Sequence, residues 1–249
     1  MSGHSKWHNI REKKSKVDAQ RGKAFTRVSK EILLAARKGG GDPNSNFALK
    51  NAIGRAREVN MPADNIKRLI ERATGGGEGS QFEEVTYEGY GPHGVAVMVE
   101  AATDNRNRTA ADIRHLFAKY GGNLGEGGCV AWMFTRQGLI TLALDSVDEE
   151  RLIDLAVNAG ADDVRESDGQ WEVVTSPDTY YTVLEAIEKA GLATLSSDLE
   201  MVAQNVVALG RSEAPSVLKM MEMLEDHDDV QNVYANFDIP ADVLEEVTA

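Results

Sequence analysis

Eleven cations crowd the stretch from Lys6 to Lys38: Lys6, Arg11, Lys13, Lys14, Lys16, Arg21, Lys23, Arg27, Lys30, Arg37 and Lys38, opposed only by Glu12, Asp18 and Glu31. Cations held at helical spacing suit a phosphate backbone, because neutralising several phosphates together releases many counterions. Trp7 lies among them, where an aromatic ring can stack on an unpaired base or anchor the segment. A second group, Asp104-Asn105-Arg106-Asn107-Arg108-Thr109, sets two arginines and two amides at the entry to a helix. Free backbone N–H groups there favour an anion, so Asn105, Arg106, Asn107 and Arg108 form a secondary candidate for a phosphate or partner contact.

The rest of the chain offers little chemistry. Gly89-Tyr90-Gly91-Pro92-His93-Gly94 matches a dinucleotide fingerprint by letters, but a strand follows where that motif needs a helix, so a hairpin turn is expected. Gly121 to Gly128 lacks the Lys-Ser/Thr end of a P-loop. His93, His115 and His227 stand alone, without the paired cysteines or His-Glu spacing of a metal site. The acidic runs, Glu225-Asp226-His227-Asp228-Asp229 among them, read as solvated faces. No serine sits in a nucleophile elbow. The expectation is a non-enzyme with no cofactor and no metal.

Charge distribution supports this division. Residues 1–79 hold 17 Lys+Arg against 8 Asp+Glu, a net of +9, which leaves 10 against 32, a net of −22, for residues 80–249. A basic block on an acidic chain is the pattern of a nucleic-acid-binding part carried on a body that phosphate repels. The acidic body itself suits a basic protein partner. No stretch approaches the length of apolar residues that a membrane span needs, so no membrane partner is expected. The single cysteine, Cys129, fits a reducing cytoplasm and reads as a small buried hydrophobe.

Three helices must position the cations. Phe25, Val28, Ile32 and Ala36 make one apolar stripe that ends at Gly39-Gly40-Gly41. Asp42-Pro43 reads as N-cap and first position of a second helix, with Leu49, Ala52, Ile53 and Ala56 inward. Pro62 opens a third, with Ile66, Leu69, Ile70 and Ala73 inward. The glycine run after Thr74 marks a joint, and the period then changes.

Val85–Tyr90 and Val95–Val99 read as a hairpin, Thr109–Tyr120 as a helix stopped by Gly121, and Cys129–Phe134 as a strand. From Gly138 the order is strand, helix (opened by a Ser146/Glu149 capping box), two strands, helix and strand, the ferredoxin-like βαββαβ series. A helix from Pro215 and a strand from Val230 then complete the interrupted earlier group. The fold expected is α+β and multidomain. A three-helix domain (1–79) precedes two ferredoxin-like α/β domains, the third (137–204) inserted into the second (80–136 plus 205–249).

Gly3-His4-Ser5-Lys6-Trp7, Arg21-Gly22-Lys23, Gly39-Gly40-Gly41-Asp42-Pro43, Asn60-Met61-Pro62, Tyr87-Glu88-Gly89-Tyr90-Gly91-Pro92 and Asp104 to Thr109 together resemble the YebC/PmpR family, through nearly the whole chain. Cys129 stands where that pattern has a serine. The resemblance implies three domains, the last inserted in the second, and a cytoplasmic role usually described as DNA-binding transcriptional regulation. Other members, including a mitochondrial translational activator of cytochrome oxidase, act on ribosomes. Duplex DNA and ribosomal RNA therefore both stand as expected partners.

Overall fold

The computed structural model describes residues 18–75, 82–167, 169–240 and 242–243, and the side chains of the first helix from Gly22 onward. The basic leader lies outside the described residues. The fold is α+β, with seven helices and short antiparallel sheets among the described residues. Trp132–Val206 forms one compact unit, and the remaining described residues form the other.

In the larger unit, α1 (Asp18–Gly39), α2 (Phe47–Glu58) and α3 (Ala63–Thr74) close around Val28, Ile32, Ala36, Leu49, Ala52, Ile53, Ala56, Met61 and Ile66. Every apolar position expected to face inward does so, fully or in part. The second helix starts later than Asp42-Pro43 suggests. Asp42 instead caps a turn by accepting from the Asn44 amide, and Asn46 is the true N-cap. Asn46 Oδ1 accepts from the Leu49 amide at 3.1 Å, while Nδ2 donates to the carbonyls of Ala35 and Gly40 at 2.8 Å each. One buried amide thus satisfies the end of α1 and the start of α2. Gly39 is required there, since a Cβ would lie 2.7 Å from the Asn46 side chain.

The same unit holds a sheet of order β3-β1-β2-β9, built from β1 (Glu83–Tyr90), β2 (Ala96–Thr103), β3 (Asn123–Leu124) and β9 (Val230–Ala235). The Gly91–Gly94 segment is the β1–β2 hairpin turn, closed by the Gly91 amide on the Val95 carbonyl at 2.8 Å. Val95, Val97, Val99 and Ala101 turn one face toward α4 (Arg106–Lys119) and α7 (Ala214–Glu225), meeting Ile113, Phe117, Val217, Met221 and Leu224. β1 pairs antiparallel with both β2 and β3, so β2 and β3 are parallel strands flanking it, joined through α4. A two-residue parallel pair, β8 (Val207–Ala208) with β10 (Phe237–Asp238), completes the unit.

No strand forms over Cys129–Met133. The Glu88 carboxylate, 7% exposed, accepts from the amides of Gly128, Val130 and Ala131 at 2.8–2.9 Å, drawing that segment into an irregular loop. Burial pushes Glu88 up, but these three bonds outweigh it and hold the carboxyl below its ordinary range. Cys129 is half-buried rather than buried, and burial together with the nearby Glu88 charge pushes its thiol up.

The other unit is ferredoxin-like. β4 (Phe134–Ala143), α5 (Glu149–Asn158), β5 (Asp163–Ser167), β6 (Gln170–Thr175), α6 (Tyr180–Lys189) and β7 (Thr194–Ala203) give an antiparallel sheet of order β5-β6-β4-β7. Ile140, Leu142, Trp171 and Val173 meet Leu152, Ala156, Val183 and Ile187 of the helices on one face. The expected Ser146/Glu149 capping box is absent: Ser146 ends a 3₁₀ turn and donates to the Ala143 carbonyl, and α5 begins at Glu149 after Asp148. Gly121, Gly160 and Gly191 follow α4, α5 and α6 with φ of +82°, +101° and +77°, the left-handed stop expected at Gly121 and repeated after the other two helices.

Candidate nucleic-acid interface

Lys6, Trp7, Arg11, Lys13, Lys14 and Lys16 lie outside the described residues, as does the side chain of Arg21. The structure therefore places the second half of the cationic set. Lys23, Arg27 and Lys30 recur at steps of four and three, which brings them to one face of α1. That face meets the C-terminal end of α7. Lys23 Nζ donates to the Asp226 carbonyl at 3.0 Å, Arg27 to the Glu225 carbonyl at 2.9 Å, and Lys30 Nζ to the carbonyls of Asp228 and Ala102 at 2.9 Å each. The last carbonyls of a helix have no partner within it and carry the negative end of its dipole. α7 has no basic residue in its own last turn, and α1 supplies the missing cations.

Lys30 is the most deeply held. Its side chain is 7% exposed and its ammonium also donates to Asp229 Oδ1 at 2.8 Å, beside the Phe82 ring. As placed, its ammonium is enclosed by protein acceptors. Asp229 Oδ2 accepts from Arg108 at 2.8 Å and from the Thr109 hydroxyl at 2.7 Å. Burial pushes this carboxyl up, but the bonds from Lys30, Arg108 and Thr109 outweigh it and hold the group far below the ordinary carboxylate range.

The secondary group meets counter-charges as well. Asn105 is the N-cap of α4, its side chain accepting from the Arg108 amide at 3.1 Å. Arg108 is shared between Asp104 at 3.0 Å and Asp229. Arg106 and Asn107 remain exposed. Lys23 and Arg108, 85 residues apart in the chain, line one groove with Asp112, Leu116, Met223, Asp226, His227, Asp228 and Asp229. Acids outnumber cations there, so the groove is poorly suited to a phosphate.

At the other end of α1, Arg37 and Lys38 are exposed, and Lys38 pairs with the exposed Glu84, a contact of small energetic weight. Arg57, Lys67 and Arg68 add exposed cations to α2 and α3. Among the described residues no group of three His, Cys, Asp or Glu side chains could hold a metal ion, and no helix is long and apolar enough to cross a membrane.

Sequence reasoning missed the role of the Glu225–Asp229 run. Read alone it is a solvated acidic stretch; its partners lie about two hundred residues earlier, and no local pattern announces them.

Comparison with known proteins covers both units. The family model described as the TACO1/YebC protein N-terminal domain matches residues 5–76, and that described as the TACO1/YebC second and third domain matches residues 82–237. A protein of Syntrophus aciditrophicus named "Probable transcriptional regulatory protein" is 53% identical over all of both chains. One of Geobacter sulfurreducens with the same descriptive name is 53% identical, over 99% of this chain and all of the relative. The crystal structure of a conserved hypothetical protein from Aquifex aeolicus, 46% identical, superposes with a TM-score of 0.80 over 90% of this chain and 93% of that one. With matches running through the helical region, the interrupted sheet and the inserted unit alike, the chain belongs to the TACO1/YebC family.

Proposed function

We infer that the protein is a non-catalytic, cytoplasmic regulator of gene expression that grips nucleic acid with its basic N-terminal region. The observation that carries this is the division of charge, +9 before residue 80 and −22 after it. The names of the relatives, probable transcriptional regulatory proteins, point the same way and favour DNA as the target. With Lys23, Arg27 and Lys30 bonded to Ala102 and the Glu225–Asp229 segment, we assign the phosphate contacts to Lys6, Arg11, Lys13, Lys14, Lys16, Arg21, Arg37 and Lys38, with Trp7 able to stack on a base. The inserted unit repels phosphate, with 4 Lys+Arg against 15 Asp+Glu over residues 132–206. Its sheet face away from the helices, which includes Gln137, Leu139, Thr141, Glu172 and Val174, carries no aromatic ring, unlike the sheets that stack RNA bases. That acidic unit is instead suited to a basic protein partner.

The test is salt dependence. With about six to ten phosphate contacts, affinity for a DNA duplex falls roughly 10³- to 10⁵-fold between about 50 and 200 mM salt. Lys13→Glu/Lys14→Glu flattens that slope; an unchanged slope removes the leader from the interface. Crosslinking in cells then separates the targets: promoter duplexes support transcriptional regulation, and ribosomal RNA moves the protein to translation.

A further inference from the structure

The bonds between α1 and the sheet-bearing part of its unit are unequal. Lys23 is half exposed and donates to one carbonyl, so water replaces that bond at little cost. Lys30 and Asp229 are both below one tenth exposed, and neither is left alone in that setting without a large desolvation penalty. Asp229 is also where three segments converge: Lys30 from α1, Arg108 and Thr109 from α4, and the start of β9. Its backbone is pinned on both sides, the amide donating to His227 Nδ1 at 3.1 Å and the carbonyl accepting from the Ala102 amide at 2.8 Å. A carboxylate with both oxygens filled and its backbone fixed has one geometry to offer α1.

We propose that Asp229 is a positioning residue for the nucleic-acid grip: it touches no phosphate, but by holding Lys30 together with Arg108 and Thr109 it sets the pose of α1, the helix that the basic leader precedes in sequence. This rests on the reading of the leader given above. Its consequence has a sign opposite to simple electrostatics. Asp229→Asn removes a negative charge, and Coulomb attraction alone then makes a polyanion bind more tightly. Positioning makes it bind more weakly, because apparent affinity scales with the fraction of molecules already in the competent pose.

The experiment measures binding of the full chain to a labelled mixed-sequence DNA duplex and to an RNA strand of the same sequence, at one salt concentration. Asp229→Asn is expected to lose affinity by roughly tenfold, as when about one molecule in ten keeps α1 docked. Thr109→Val, which removes an uncharged donor from the same carboxylate together with the hydroxyl contact to Thr103, loses less in the same direction, and Thr109→Ser, which keeps the hydroxyl, binds like the unmodified protein. Hydrogen exchange reads docking directly: α1 loses protection in the two weakened variants while Trp132–Val206 keeps it. If Asp229→Asn does not fold, the Thr109 pair carries the test. Lys13→Glu/Lys14→Glu separates the two ways of failing. Should that variant lose binding while Asp229→Asn and Thr109→Val bind as tightly as the unmodified protein or more so, the grip stands and the positioning role is overturned. Should it bind unchanged, the grip itself falls, and the role of Asp229 with it.

Discussion

Asp229 and Glu172 are both buried carboxylates beside a β-sheet, one in each unit, and both meet an arginine. They differ in what else they meet. Asp229 has both oxygens occupied by donors from α1 and α4, up to 199 residues away. Glu172 has one oxygen on Arg165, its cross-strand neighbour on the β5–β6 hairpin, and its second oxygen is buried without a hydrogen-bond partner among the described residues. The contrast teaches that burial of a charge alone does not mark its importance. A buried carboxylate organises a fold when it gathers donors from segments far apart in the chain, and is nearly dispensable when it repeats a pairing already made by the ladder.

The comparison breaks most sharply at Asp229→Ala. Leaving Lys30 buried and uncompensated should cost about 3–5 kcal/mol in urea unfolding of the larger unit. Protection from hydrogen exchange should fall in α1 and at the start of β9 but not in the inserted unit. A loss spread equally over both units would contradict the assignment.

Acid sharpens it next. The folded carboxyl of Asp229 titrates below its ordinary value of 3.8, so the unfolded chain takes up this proton first as pH falls. The stabilisation is therefore complete above about pH 4 and drains away as pH drops below it. The stability gap between the unmodified protein and Asp229→Asn should be widest near neutrality and should shrink in acid, measured by urea unfolding across that range. A gap that widens in acid would overturn the assigned sign.

The smallest effect belongs to Glu172→Met. Arg165 is half exposed and can return to water, and the unpartnered oxygen disappears with the carboxylate. Stability of the inserted unit should change by less than about 1 kcal/mol in either direction. A loss of several kcal/mol would show Glu172 to be as structurally committed as Asp229.

What the sequence discloses follows the same division. The stripe Phe25, Val28, Ile32, Ala36 and the alternation Val95, Val97, Val99 are periodic, and a period is read without knowing the partner. The helix stops at Gly121, Gly160 and Gly191 are legible because a left-handed residue is a local requirement. Asn46 was hidden because Asp42-Pro43 offers a competing cap signal four residues earlier, and only the approach of Gly39 decides between them. The strand expected at Cys129–Phe134 begins only at its last residue, because three amides of the loop before it turn to Glu88, about forty residues upstream. The cations of α1 were visible one by one; that Lys30 faces inward depends on an acidic run at the far end of the chain.

The two passages of the chain into and out of the inserted unit lie side by side. Phe134 and Ala203 are opposite residues of β4 and β7, and the Gln204 amide donates to the Met133 carbonyl at 2.8 Å just beyond them. Excision of the segment between them would leave two stumps only a short bridge apart, at roughly the 5 Å separation of neighbouring strands. Loss, gain or exchange of that module in evolution therefore needs no rerouting of the host backbone, and its strongly acidic surface can diverge without disturbing the charges that seat α1.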